Sequence, residues 1–169
     1  MNKIFFLIYL FFFFNSFNLV KSETNVVFLD LNYLVNNSKK GKFIQKELNL
    51  IDKKNLNILK TKEDQIKKKE IEIKNQQSLL TEIELNEKIK IYKENINDFN
   101  NLKNELNSNF NQTKNQLLND FFEQITPIIK NYMETKKINI IIDKKNIFIA
   151  KSNYDITAEV LEIINKSTK

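Results

Sequence analysis

Lys67, Lys68 and Lys69 in succession, with Lys60, Lys62 and Lys74 around them and Lys88, Lys90 and Lys93 farther along, form the densest set of chemically capable side chains in the sequence. Their chemistry is electrostatic: a row of ammonium groups attracts nucleic acid, anionic lipid or an acidic protein surface. Glu63, Asp64, Glu70, Glu72, Glu82, Glu84 and Glu87 are interleaved with them, and Glu63 with Lys67 or Glu70 with Lys74 falls at the i,i+4 spacing that supports a helix. A solvated helix face is therefore the plainer reading. Lys67, Lys68, Lys69, Lys74, Lys88, Lys90 and Lys93 are candidate contacts for a bound protein or an anionic surface. Catalysis has no comparable footing. The chain has no Cys and no His, a single Gly, no glycine-rich phosphate loop and no Ser beside a plausible base. The usual zinc ligands are missing as well. An enzyme is not expected, and neither is a metal or cofactor.

The elements that position these lysines are marked by where the only Gly and only Pro fall, at Gly41 and Pro127, with 85 residues between them that contain neither. Such a stretch of Lys, Asn, Glu, Leu and Ile reads as extended helix. From Ile44 the apolar positions follow a helical rhythm through Leu48, Ile51, Ile58 and Leu59, and then Leu59, Ile66, Ile73 and Leu80 stand seven apart. A second frame holds Ile89, Tyr92, Ile96, Phe99, Leu106, Phe110, Thr113 and Leu117, interrupted at Lys103 with Leu102 beside it. The frames change over Leu79 to Leu85, where Thr81 and Glu84 have capping-box spacing. A reversal there, near residues 80–85, makes two antiparallel arms, each reaching on the order of 60 Å at about 1.5 Å per residue; one unbroken helix is the alternative. Pro127 marks a kink or a fresh helix start. Phe110, Phe121 and Phe122 read as packing at the arm base.

Strand-like runs lie outside the arm. Val26 to Leu29 is short, apolar and β-rich, Ile138 to Ile142 reads as a second strand, and Ile147 to Ala150 reads as a third across the polar turn Asp143 to Asn146. A short helix is expected at Asn32 to Asn37 and an amphipathic one at Ile156 to Asn165. The expected fold class is α+β, with a small β body (residues 23–40 and 127–169) carrying a helical hairpin (41–126). So small a sheet has open edges and little core of its own. Cyclic assembly would pair those edges, with Val27, Leu29, Ile140, Ile141, Ile142 and Phe148 in a shared core.

At the front, the charge Lys3 followed by the apolar run Ile4 to Phe14 and a short-residue end at Val20 to Ser22 reads as a cleaved export signal over residues 1–22. The rival is an uncleaved anchor through residues 4–20, which falls short of the roughly 20 apolar residues a span needs. Removal of Lys3 and Lys21 leaves 25 Lys against 21 Asp plus Glu, a charge of +4. Arg is absent, and stability without disulfides must come from packing or assembly.

The order of elements resembles the Skp family, also called OmpH-like, of periplasmic chaperones for outer-membrane proteins. The resemblance spans residues 25–169. It is carried by Val26-Val27-Phe28-Leu29-Asp30, by Gly41-Lys42 leading to Glu47-Leu48, by the Leu79-Leu80 tip, by Pro127 within Ile125 to Ile129, and by Ile138 to Asp143 with Asp155 to Leu161. It implies a homotrimer with a shared barrel-like body and three hairpins around a cavity. Unfolded outer-membrane β-barrel proteins would be held there without ATP. Lipopolysaccharide or another anionic lipid is a further implied partner, but the absence of Arg and the Asn-rich arm transfer no individual lipid-binding residue. An envelope coiled-coil spacer or scaffold, membrane-held if residues 4–20 stay in place, is the alternative from a structural class. Nucleic acid is not expected as a partner of an exported chain.

Overall fold

The computed structural model describes residues 24–167; the expected export signal, residues 1–22, lies outside them. Strand β1 (Val26–Leu29) is followed, after Asp30 alone, by helix α1 (Leu31–Asn37). The Asp30 carboxylate accepts the Tyr33 amide at 2.8 Å and so caps α1. Ser38 then serves both sides of a corner. Its amide donates to the Leu34 carbonyl at 2.9 Å, and its buried hydroxyl accepts the Gly41 amide at 3.0 Å to cap α2 (Lys39–Gln76).

Gly41 is therefore not the break its type suggests; it sits in the first turn of α2. Its role is steric. A Cβ at this buried position would run into the Val35 carbonyl, 2.6 Å from the carbonyl carbon, because α2 turns back tightly against α1. Pro127 likewise starts no new helix. It lies inside the continuous α3 (Glu82–Lys136). One backbone bond is lost there, and the Thr126 hydroxyl donates to the Phe122 carbonyl at 2.6 Å in the adjoining turn.

The true breaks carry neither residue. The chain reverses between Gln76 and Glu82, where Thr81 and Glu84 complete the expected capping box. Bonds from Thr81 hold the Glu84 carboxyl below its ordinary range. At the far end Lys137 stops α3 in the left-handed region, φ 54°. The two expected heptad frames are the faces the arm helices turn to each other. Their apolar members are half-buried, and Leu102 is half-buried beside an exposed Lys103.

Strand β2 (Ile140–Asp143) pairs with β1 in parallel, Val26 opposite Ile140 and Leu29 opposite Asp143. A parallel pair needs a crossover, and here the crossover is α1, α2 and α3 together, so the arm is one long connection between two adjacent strands. The third strand expected at Ile147 to Ala150 does not form within the chain. A 3-10 turn at Lys144–Asn146, an irregular run and a second 3-10 turn at Ser152–Tyr154 lead into α4 (Thr157–Ser167). The third position beside β1 goes to Asp155 and Ile156 instead: Phe28 bridges to Asp155, and the Ile156 amide donates to the Phe28 carbonyl at 2.9 Å.

Val27, Leu29, Leu34, Ile44, Phe121, Ile125, Tyr132, Ile138, Ile156, Val160 and Ile164 form one buried cluster. Each contributes about 1.5–3 kcal/mol on leaving water. Ile44 and Phe121 belong to the long helices, so the core clamps the arm at its root. Two polar links brace α4. The Thr157 hydroxyl accepts the Asp30 amide at 2.9 Å and donates to the Asp155 carboxylate. Burial raises the Asp155 carboxyl, but the two bonds from Thr157 and the Lys144 ammonium outweigh it and hold the group low. The Tyr132 hydroxyl donates to the Glu159 carboxylate.

Candidate functional site

Two surfaces are candidates, the cleft-lined arm and the open face of the sheet. Along α2 the residues Leu48, Asn55, Lys62, Lys69 and Gln76 follow one another at a spacing of seven. Beyond Leu48 this row offers α3 no apolar side chain, and polar links take over. Lys69 Nζ donates to Asn95 Oδ1 at 3.3 Å and Lys88 Nζ pairs with Glu72 Oε1 at 3.0 Å, both across the arm. Lys74 pairs with Glu70 at 2.6 Å, as its spacing predicts. The hydrogen bond and charge of Lys74 hold the Glu70 carboxyl low, with a smaller contribution from Tyr92 on α3, and Glu70 raises the Lys74 ammonium in return. All of these pairs are exposed and screened by water.

Where lysines replace apolar fillers the helices leave a cleft of about 460 Å³, lined by Lys62, Gln65, Ile66, Lys68 and Lys69 from α2 and by Asn95, Asp98, Phe99 and Leu102 from α3. A smaller one of about 150 Å³ lies nearer the tip, between Lys69, Glu72, Ile73, Lys88, Ile91 and Tyr92. The seven candidate lysines are thus divided. Lys68 and Lys69 line the larger cleft and Lys69 and Lys88 the smaller, Lys74 is tied to its own helix, and Lys67, Lys90 and Lys93 are exposed and line neither. Sequence reasoning missed Phe99 and Leu102 as a cleft floor. Their signal is the interruption at Lys103, which displaces the apolar position by one residue. It also missed the bare aliphatics of the tip, Leu79 and Ile83, 83% and 81% exposed.

Strand alternation divides the six candidate assembly residues. Val27 and Leu29 are buried in the chain's own core and Ile141 packs against it, while Ile140 and Ile142 are exposed on the opposite face. Phe148 is fully exposed, and Ile149 beside it is 84% exposed. A groove of about 1080 Å³ runs along this outer face between Val26, Phe28, Ile142, Ile147, Ala150 and Tyr154. Contiguous bare apolar surface of this kind marks a contact surface. Among the described residues no cluster of acids could hold a metal ion, and no helix is long and apolar enough to cross a membrane.

The fold has a counterpart among solved structures. A candidate outer membrane chaperone (OmpH-like) from Caulobacter crescentus CB15 superposes with a TM-score of 0.76 at 14% identity, over 86% of each chain. At that identity the likeness establishes a shared fold. No curated protein matches the sequence. The family described as outer membrane protein (OmpH-like) matches residues 25–164, from the residue before β1 into α4. Strands, arm and closing helix thus fall within a single family pattern, and the chain belongs to the OmpH-like family.

Proposed function

We propose that the protein is an ATP-independent periplasmic holdase that keeps unfolded outer-membrane β-barrel proteins from aggregating. The observation that carries this reading is the incomplete seam of the arm. Two helices whose facing apolar side chains are only half-buried leave apolar groups, clefts and a lysine field along a projection on the order of 60 Å long. Many weak contacts of that kind retain a chain without fixing its structure. The family and the fold support a chaperone role.

The assembly that makes such arms enclose a client is a homotrimer built through Ile140, Ile142 and Phe148 on the outer sheet face. Residues 23–169 act as one domain, with residues 1–22 its cleaved export signal, and the arm lysines add contact to an anionic surface such as lipopolysaccharide. Dilution of a urea-unfolded outer-membrane β-barrel into one equivalent of trimer should hold light scattering near baseline. Aggregation equal to that of the client alone would reject the holdase and leave an envelope scaffold as the reading. Mass spectrometry of the native N-terminus tests export: a start near Glu23 fits a released chain.

A further inference from the structure

The larger arm cleft is built in an unusual way for a coiled-coil seam. Its floor is apolar and half-buried, formed by Ile66, Phe99 and Leu102. Its α2 wall is cationic, with Lys62, Lys68 and Lys69, and Lys69 is held in place by Asn95 across the arm. Filling that gap needed only Leu at positions 62 and 69, as at Leu48 two and three heptads below. Lysines there leave the gap unfilled while their ammonium groups stay in water at the rim.

We propose that this cleft receives an aromatic side chain of the unfolded client. The inference rests on the holdase reading and deepens it. An aromatic ring is the group that suits all the walls at once. Its body replaces water over Ile66 and Leu102, its edge or face meets the Phe99 ring, and its negative face lies within reach of the rim lysines. A purely aliphatic side chain gains only the floor, and an anion gains only the rim while meeting Asp98 on the other wall. Membrane β-barrel strands carry girdles of aromatic residues, so an unfolded barrel presents such groups repeatedly. A cleft that takes one ring without reading its neighbours would give a holdase a foothold on many sequences.

The test uses the purified protein with Ile, Leu and Phe labelled for NMR, titrated with N-acetyl-tryptophanamide, N-acetyl-leucinamide and inorganic phosphate separately. The expected result is saturable shifts centred on Ile66, Phe99 and Leu102 with the tryptophan amide, at least fivefold weaker with the leucine amide. Phe99→Leu, and separately Lys68→Gln with Lys69→Gln, should each weaken the aromatic response about threefold while circular dichroism stays unchanged. Equal responses to the two amides, shifts confined to the body groove, or a response to phosphate alone would each overturn the proposal. The lysine variants lie on the exposed rim and keep the test readable should Phe99→Leu misfold. Wild-type protein that suppresses aggregation yet shows no cleft shifts would sink this inference and spare the holdase. Cleft selectivity without suppression would do the reverse.

Discussion

At the residue scale the sharpest demand is at Gly41. Its backbone is ordinary helix, so conformational freedom is not the issue; the obstacle is the fixed Val35 carbonyl where a Cβ would stand. Gly41→Ala should cost about 1–3 kcal/mol, the usual range for overpacking a closed site, read as a lower urea midpoint. Tyr132 makes a second prediction. Burial first, then its hydrogen bond to the Glu159 carboxylate, pushes its hydroxyl from about 10 up to about 12. A folded value above the unfolded one means this contribution is complete below about pH 10 and disappears as pH rises through the window to about 12. Ultraviolet titration should show a late step, and Tyr132→Phe should remove Tyr132's share of it. Asp155 has the opposite sign. Its lowered carboxyl adds stability above its unfolded value of about 4, lost as pH falls through the folded value. Thr157→Val, which removes the hydroxyl bond to Asp155 and keeps the one from the backbone amide, should partly flatten that acid limb in a melt-versus-pH series.

At the scale of elements, boundaries follow local hydrogen bonding rather than residue type. Breaker logic points to Gly41 and Pro127, and helix runs through both; the stops are the 77–81 turn and Lys137, where the chain spends no Gly or Pro at all. A lysine in the left-handed region is strained relative to glycine. Lys137→Gly should raise stability by about 0.5–1 kcal/mol in chemical denaturation, because the side chain is exposed and the conformation is already the one glycine accepts. The capping box at the tip was legible because Thr81 and Glu84 act within one turn. Thr81→Ala should speed amide exchange at residues 82–85 about fivefold and leave α4 protection unchanged.

At the scale of the whole molecule, one strand pair and one helix face bind the long arm to a body that leaves half its sheet bare. Phe148→Ser should reduce the oligomeric mass by light scattering while circular dichroism stays native, since that side chain touches nothing inside its own chain. Ile141→Asp should differ. Its side chain packs against the internal core, so an unpaired charge there should cost about 3 kcal/mol or more and unfold the body along with any assembly. Comparing the two separates the surface proposed to join copies from the one that holds a single copy together.

The helices, the reversal and the narrow seam were readable from the sequence, because heptad spacing and a capping box are interactions among residues one or two turns apart. Local signals also placed β1 and β2. They failed at Ile147 to Ala150, where β-branched and aromatic residues promise a strand but strand formation requires a partner edge, and Asp155 with Ile156 occupies the one beside β1. Which of the adjacent Ile140, Ile141 and Ile142 face the core was likewise beyond a run of identical side chains; the parallel register with β1 chose Ile141. The arm cleft is the clearest case. Lysines read as surface in sequence, yet two of the cleft's lysines fall where the helices meet, and only the packing of α2 on α3 turns Lys62, Lys69, Phe99 and Leu102 into one site.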